Sequence, residues 1–298
     1  MNNRKFYHPK FLPTWLLIGL MKFGAKLPFH IQVTLGKLMG MALYPILRRF
    51  RKIAFINISR CFPNKNNSEV KMLVRQNFKS IGISIFETAN AYFATDKKIQ
   101  SLLSIHNEHY LTQAIKDKQS VILLSGHFMP LMLGSRALLL KHHIANIYRP
   151  QNNLLFDIIM HRAYEEHGAT MINAKDIKSL LNTLKNKLPI WYAPDQDLGV
   201  DKCVFAPFFD IQTATVSATA RLAKYESTVV IPFFFNRIES GYSMNFEAPI
   251  DNYPNADATI SATITNKILE TQILKYPEQY LWIHKRFKTR PEGESDFY

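Results

Sequence analysis

Hydrophobic positions along this chain change their spacing near residue 120. Before it, apolar residues run in long helical stretches; after it, short apolar runs alternate with amphipathic segments. Val121–Ser125, 144–148, Thr170–Asn173, 190–193 and 228–235 read as buried strands, and the stretches 131–142, 153–167, 174–187 and 212–226 between them as helices. This alternation predicts an α/β fold with a mixed, mostly parallel central sheet flanked by helices. Residues 242–246 read as an antiparallel edge strand, followed by a helix from about Ala256 to Lys275.

The first sixty residues have a different character. From Phe11 to Leu47 the chain is largely apolar, but Pro13, Lys22, Lys26, Pro28, Lys37 and Pro45 interrupt it. No uncharged stretch reaches the roughly 20 residues that a spanning helix needs. A helix lying in the bilayer interface, with its lysines snorkelling to the headgroups, is the better expectation. Arg4, Lys5 and Lys10 precede the apolar run as in a secretory signal, but Leu16–Leu20 is a short core with no small-residue cleavage site behind it. Arg48-Arg49-Phe50-Arg51-Lys52 then sets four cations in five residues beside the apolar segment. Such a cluster reads either as a contact to an anionic leaflet or as a solvated helix face. The helical pattern breaks at Cys61-Phe62-Pro63-Asn64, and Ser68-Glu69 opens a second amphipathic helix to about Tyr92. The expected organisation is a membrane-associated helical segment over 1–60 and an α/β domain over 61–298.

Composition narrows the classes. The 298 residues are 47% hydrophobic, enough for a sizeable core and against disorder. Cys61 and Cys203 lack metal-ligand spacing, so neither a disulfide framework nor a zinc site is expected, and a reducing compartment fits. A formal charge of +14 calls for an anionic partner: nucleic acid, anionic lipid or an acidic carrier protein. No zinc-finger, RNA-recognition or basic-zipper pattern is present, which places nucleic acid last.

Chemistry concentrates where strands end. His127, in Ser125-Gly126-His127-Phe128-Met129-Pro130, falls at a strand-to-helix turn, and Pro130 suits the first turn of the helix that follows. An imidazole there can project into a cleft at the carboxyl end of the sheet and act as a general base, with nearby amides receiving an oxyanion. Taken alone, His127 reads more readily as a histidine satisfied by a backbone carbonyl, and its context moves the reading toward a base. Other polar groups fall at strand ends too: Arg149 after Tyr148, Asp195 in Trp191-Tyr192-Ala193-Pro194-Asp195-Gln196-Asp197, and Asn236 with Arg237 after Phe235. Arg149 and Asp195 could equally form a structural ion pair. The C-terminal run Trp282-Ile283-His284-Lys285-Arg286-Phe287-Lys288-Thr289-Arg290 is cationic and aromatic, a mixture suited to phosphates at a membrane surface or to single-stranded nucleic acid.

These blocks, in this order, resemble the late acyltransferases of lipid A biosynthesis, which are similar to the wider lysophospholipid acyltransferase superfamily. The likeness rests on Pro9-Lys10, Arg60-Cys61-Phe62-Pro63, Gly126-His127-Phe128, Tyr148-Arg149-Pro150, the block around Asp195, Phe205-Ala206-Pro207-Phe208-Phe209 and Pro277 to Gly293. The resemblance implies an inner-membrane enzyme acting at the cytoplasmic face. Its acyl donor would be acyl carrier protein, and its acceptor a hydroxyl on an acyl chain already attached to the lipid A precursor. It implies no metal or organic cofactor. Anionic inner-membrane lipid, the phosphorylated precursor and the acidic carrier would then account for the positive charge. His127 would be catalytic; Arg149, Arg162 and Asp195 would shape the substrate site, and Lys285, Arg286, Lys288 and Arg290 would help hold phosphates.

One position departs from the pattern. The family motif is a histidine, four residues, then aspartate or glutamate, and here Met132 stands at the carboxylate position. A thioether can neither fix the tautomer of an imidazole nor stabilise its cation. His161 and Glu166 repeat the spacing, but on a helix five residues turn about 500°, so their side chains diverge. Three readings of Met132 stay open: His127 works alone or with another carboxylate, Asp195 first among them; the chain is an impaired paralogue that binds lipid; or the residue is an isolated substitution. Acylation of a different lipid acceptor is a further alternative.

Overall fold

The computed structural model describes residue 6 and residues 8–298, so Arg4 and Lys5 lie outside the described residues. Its helices and strands run in the order α1 (Leu12–Lys26), α2 (Phe29–Ile46), α3 (Arg48–Cys61), α4 (Asn67–Phe93), α5 (Asp96–Gln100), β1 (Leu103–His106), α6 (His109–Lys116), β2 (Val121–Leu124), α7 (Leu131–Leu138), β3 (Ala145–Tyr148), α8 (Leu154–Glu166), β4 (Thr170–Asn173), α9 (Ile177–Lys185), β5 (Ile190–Tyr192), β6 (Cys203–Phe208), β7 (Ile211–Val216), α10 (Ala218–Lys224), β8 (Val229–Ile238), β9 (Gly241–Phe246) and α11 (Ala258–Lys275).

Local chemistry sets the helical boundaries. Asn66 caps α4 by accepting from the amides of Ser68 and Glu69, while Glu69 reaches back to the Asn66 amide at 2.7 Å, a reciprocal capping box. The backbones of α2 and α4 touch along Gly36, Gly40 and Gly82: a Cβ on Gly82 would stand 2.0 Å from the Gly36 carbonyl oxygen. The buried amides of Gln32 and Asn90 pair reciprocally across the same two helices at 3.0 and 2.8 Å. Lys98 ties α1 down by donating to the carbonyls of Ala25 and Leu27, both at 2.6 Å.

The sheet has seven strands in the order β1-β9-β8-β2-β5-β3-β4. From β8 through β4 all neighbours are parallel; β9 runs against β8, and β1 runs with β9. The mixed, mostly parallel sheet read from the sequence is therefore present. β2 is buried along its whole length, with Val121 and Leu123 in one apolar cluster and Ile122 and Leu124 in another on the opposite face. Burial on both faces is why this strand is a continuous apolar run.

Two expectations need correction. Residues 242–246 do run antiparallel, but β1 covers them, so β9 is not an edge. β1 alternates half-buried with exposed residues over only four positions and gives too short a signal. The helix expected over 212–226 is confined to α10, because β-branched Thr213, Thr215 and Val216 pair with β6 as a hairpin. Phe209 and Asp210 turn that hairpin with φ of 49° and 60°, the left-handed pair of a two-residue I′ loop.

No helix among the described residues is long and apolar enough to cross a membrane. Instead α1 and α2 lie along α4 and leave Leu12, Leu16, Leu20 and Phe23 of α1 and Leu35 and Leu38 of α2 exposed.

Candidate active site

β2 and β5 are parallel neighbours with Leu124 beside Tyr192, and the Ser125 amide extends the pairing by donating to the Tyr192 carbonyl at 2.9 Å. The loops leaving these strands therefore emerge side by side. Three residues past the end of each stand His127 and Asp195, and they meet. His127 Nδ1 lies 2.5 Å from Asp195 Oδ1, and the His127 amide donates to Asp195 Oδ2 at 2.9 Å. One carboxylate thus holds both the ring and the backbone of the same residue. The contact fixes the tautomer: Nδ1 carries the proton toward Asp195, and Nε2 is left as the basic nitrogen. Gly126 makes the approach feasible, since a Cβ there would come within 2.9 Å of Leu269 and 3.4 Å of Asp195 Oδ2.

A C-terminal strap braces the turn from the other side. The Leu281 amide donates to the His127 carbonyl at 3.0 Å, and the Met129 amide to the Gln279 carbonyl at 2.7 Å. Asp197 anchors the strap further on, accepting from the amide and hydroxyl of Thr289 at 2.7 and 2.8 Å. Its own amide donates to His284 Nε2 at 3.2 Å. Asn57 of α3 donates to the carbonyls of Trp282 and His284, and Asn77 of α4 to those of Glu278 and Tyr280.

Electrostatics follow from burial and charge. The Asp195 side chain is 1% exposed and that of His127 24%, so the ring opens to the cleft above a buried partner. Desolvation disfavours the imidazolium, but the charge and hydrogen bond of Asp195 outweigh it, and the His127 pKa lies above 6.5; Arg149 pulls the other way. Burial pushes the Asp195 carboxyl up, yet His127 and then Arg286 hold it well below the ordinary carboxylate range. Desolvation lowers His284, in keeping with an Nε2 that accepts from the Asp197 amide.

The remaining sequence-derived positions divide clearly. Arg149 stands at the carboxyl end of β3, exposed, on the strand next to β5 and near enough to act on His127. Arg162 is exposed on α8. Arg286 is buried at 2% exposure, donating to the Ala214 carbonyl and Thr215 and lying 5.1 Å over the Phe208 ring, so it underlies Asp195 instead of facing solvent. Arg290 stacks on Phe297 and is engaged by Glu294 and the Gln212 carbonyl; Lys285 lies over Tyr298, and Lys288 is exposed. Arg237 and Asn236 serve packing: Arg237 pairs with buried Glu87 at 2.6 Å and donates to Ser80, and Asn236 accepts from Gln272 of α11. His161 pairs with Glu165, one residue short of the repeated spacing.

Two further findings bear on chemistry. Met132 is half-buried against the main apolar cluster, and its carbonyl accepts from the Tyr164 hydroxyl. Most of the turn amides expected to receive an oxyanion are otherwise engaged: those of His127, Phe128, Met129 and Leu131 donate within the protein. Sequence reading also missed the strap residues Gln279, Leu281 and Asn57, whose contacts join positions about 150 or more residues apart and leave no periodic trace.

A carboxylate-oriented imidazole at the carboxyl ends of a mostly parallel sheet is equipped to take a proton from a hydroxyl. The chain belongs to the bacterial lipid A biosynthesis acyltransferases, whose family profile matches residues 2–289, and it is an acyltransferase. It is 33% identical to the lipid A biosynthesis palmitoleoyltransferase of Escherichia coli K12, over 99% of this chain and 97% of that one. Identity to the lipid A biosynthesis lauroyltransferase of the same organism is 33%, over 96% and 94% of the two chains. A lipid A biosynthesis acyltransferase of Haemophilus influenzae is 34% identical over 97% and 94%.

Proposed function

We propose that the protein moves a fatty acyl chain from acyl carrier protein to a hydroxyl of an acyl chain on a lipid A precursor, at the cytoplasmic face of the inner membrane. The observation that carries this reading is the double contact of Asp195 with the ring and amide of His127. Met132 removes the motif carboxylate, and Asp195 supplies the orienting charge that an active base requires.

In the proposed reaction, His127 Nε2 accepts the acceptor's hydroxyl proton as its oxygen attacks the thioester carbonyl. The tetrahedral oxyanion forms in front of Arg149, the exposed cation closest in effect to His127, in place of the occupied turn amides. Collapse breaks the carbon–sulfur bond, and the imidazolium returns its proton to the departing thiolate. The ester remains on the lipid and the free thiol on the carrier. Arg162 and Lys288, exposed, are left to meet phosphates of the precursor or acidic groups of the carrier, together with the partly exposed Lys285, whereas the Arg290 side chain is 6% exposed and committed to Glu294. The apolar outer faces of α1 and α2 support membrane association without a span, along with anionic lipid as a partner.

The test is transfer itself: membranes carrying the protein, with acyl carrier protein thioester and underacylated lipid A, should yield a product heavier by one acyl chain. His127→Ala should abolish it. Absence of transfer by the natural chain, with vigorous transfer by Met132→Glu, would show that Asp195 does not replace the motif carboxylate.

A further inference from the structure

The corner where α2 meets α3 holds a cavity of about 380 Å³, lined among others by Tyr44, Arg48, Arg51, Lys52, Phe55 and Lys71. None of these residues belongs to the site around His127. Arg51 lies 4.9 Å over the Tyr44 ring and donates to the Tyr44 carbonyl, and Arg75 reaches the same ring at 5.8 Å. Among the described residues, no carboxylate lies within ion-pair distance of Arg48, Arg51, Lys52 or Lys71.

This arrangement opposes the ordinary preference of a helix. The start of α3 has no side-chain cap and no acidic residue in its first turn, yet Arg48, Arg49, Arg51 and Lys52 crowd onto it. Free amides and the positive end of the helix dipole favour anions there, and cations repel both the dipole and one another. An anion seated in the cavity relieves all three terms together.

The neighbourhood specifies what carries the anion. Ile46 and Phe50 flank the cations at 69% and 41% exposure, and Leu35, Leu38 and Met39 continue the exposed apolar surface along α2. Apolar side chains next to cations around a cavity match the boundary of a lipid layer, where the first enter acyl chains while the second reach phosphates. A purely acidic protein surface would leave the apolar residues without a counterpart.

We propose that this cavity is a binding site for the phosphate of an anionic glycerophospholipid headgroup, separate from the substrate cleft. The inference rests on the reading that α1 and α2 face the membrane. Its use is orientation: α3 starts at the cavity and carries Asn57 near its other end, which holds the Trp282 and His284 carbonyls, both at 2.7 Å. A headgroup in the cavity sets the height and tilt of the strap, and with it the cleft, over the lipid surface.

The experiment measures binding of the purified full-length protein to phosphatidylcholine vesicles with and without about 25% phosphatidylglycerol, where each cation near the surface contributes about fivefold in affinity. Lys52→Ala with Lys71→Ala, both exposed and on different helices, α3 and α4, should lower binding to the anionic vesicles by clearly more than about 25-fold, the cost of two diffusely attracted cations, and leave binding to phosphatidylcholine unchanged. Unaltered thermal melting by circular dichroism checks that the variants fold. The charge-matched control is Lys37→Ala with Arg49→Ala, exposed cations outside the cavity lining, and should cost much less. Equal losses from both pairs would reduce the site to diffuse attraction and overturn the proposal. So would loss of acyl carrier protein binding with vesicle binding intact, which would assign the cavity to the carrier. Calorimetry with glycerol 1-phosphate separates the two readings: headgroup binding that needs Lys52 and Lys71, in a protein that ignores vesicles, upholds the site and refutes the membrane face. Binding to neither sinks both.

Discussion

Asp195 acts on His127 twice, through the ring and through the amide, and the two contacts have separable consequences. Replacing it by Asn keeps the amide contact but removes the charge that stabilises the imidazolium and the certainty of the tautomer. We expect Asp195→Asn to lower kcat by on the order of 10³ to 10⁴, the scale seen when the carboxylate of a Ser-His-Asp triad is neutralised. The pH profile supplies an independent check. Catalysis needs the unprotonated ring, so the rate rises as pH climbs through the His127 pKa, which Asp195 holds above 6.5. Without the carboxylate, desolvation and Arg149 remain and both lower that pKa, so the residual activity should have its acid limb below 6.5. A limb that stays put would show that another group titrates. Stability carries the opposite sign: a raised histidine pKa stabilises the fold below 6.5, and this contribution fades as pH rises through the folded value. Both residues were visible in the sequence as polar groups at strand ends. Their pairing was only one option there, because the adjacency of β2 and β5 is a fact of topology and not of spacing.

Elements were legible in proportion to their length and regularity. The five parallel strands and the helices between most of them announced themselves as apolar runs and amphipathic stretches, most plainly β2, where burial on both faces leaves no room for polar positions. β1 was too short, and β7 was masked by its alanine and by the helix α10 that follows it directly. The closeness of α2 and α4 was likewise hidden, since glycines in helices ordinarily signal weakness. Here they let two backbones touch: a Cβ on Gly40 would lie 2.0 Å from the Phe78 carbonyl oxygen. Gly82→Ala should therefore cost about 3 kcal/mol or more, at the upper end of overpacking because main-chain atoms must move. The measurement is chemical unfolding, with Gly19→Ala, which meets nothing within 4 Å, as a neutral or mildly stabilising control. The strap offers a second test at this scale. Asp197→Ala removes the acceptor for the Thr289 amide and hydroxyl and for the Gly199 amide without touching the His127–Asp195 contact. We expect a loss of about 3 kcal/mol in stability from the three unmet hydrogen bonds, with kcat reduced far less than in Asp195→Asn.

At the scale of the whole molecule, the catalytic geometry and the proposed lipid contact lie on different layers that share α3 and α4. The sheet ends hold His127 and Asp195, while α1 and α2 pack on α4 and turn a second apolar face outward. A helix apolar all round is ordinarily buried or in lipid. At 15 residues α1 is about 22 Å long, short of the roughly 30 Å hydrocarbon layer, so the membrane contact we propose is one in which α1 lies in the interface. Leu16 and Leu20 project from one side of α1, four residues apart, at 64% and 60% exposure. Burying each in the acyl boundary is worth about 1.5 to 3 kcal/mol, so Leu16→Glu with Leu20→Glu should weaken vesicle binding by about 100-fold or more. Because neither side chain enters the core, the melting temperature should hardly move, and hydrolysis-free transfer to a detergent-dispersed acceptor should survive. That combination, membrane binding lost with chemistry retained, distinguishes an outward lipid face from a buried packing face. If the double variant instead unfolds, or remains on vesicles with unchanged affinity, then the outer surface of α1 meets another protein surface and the cleft must find its lipid acceptor by a different route.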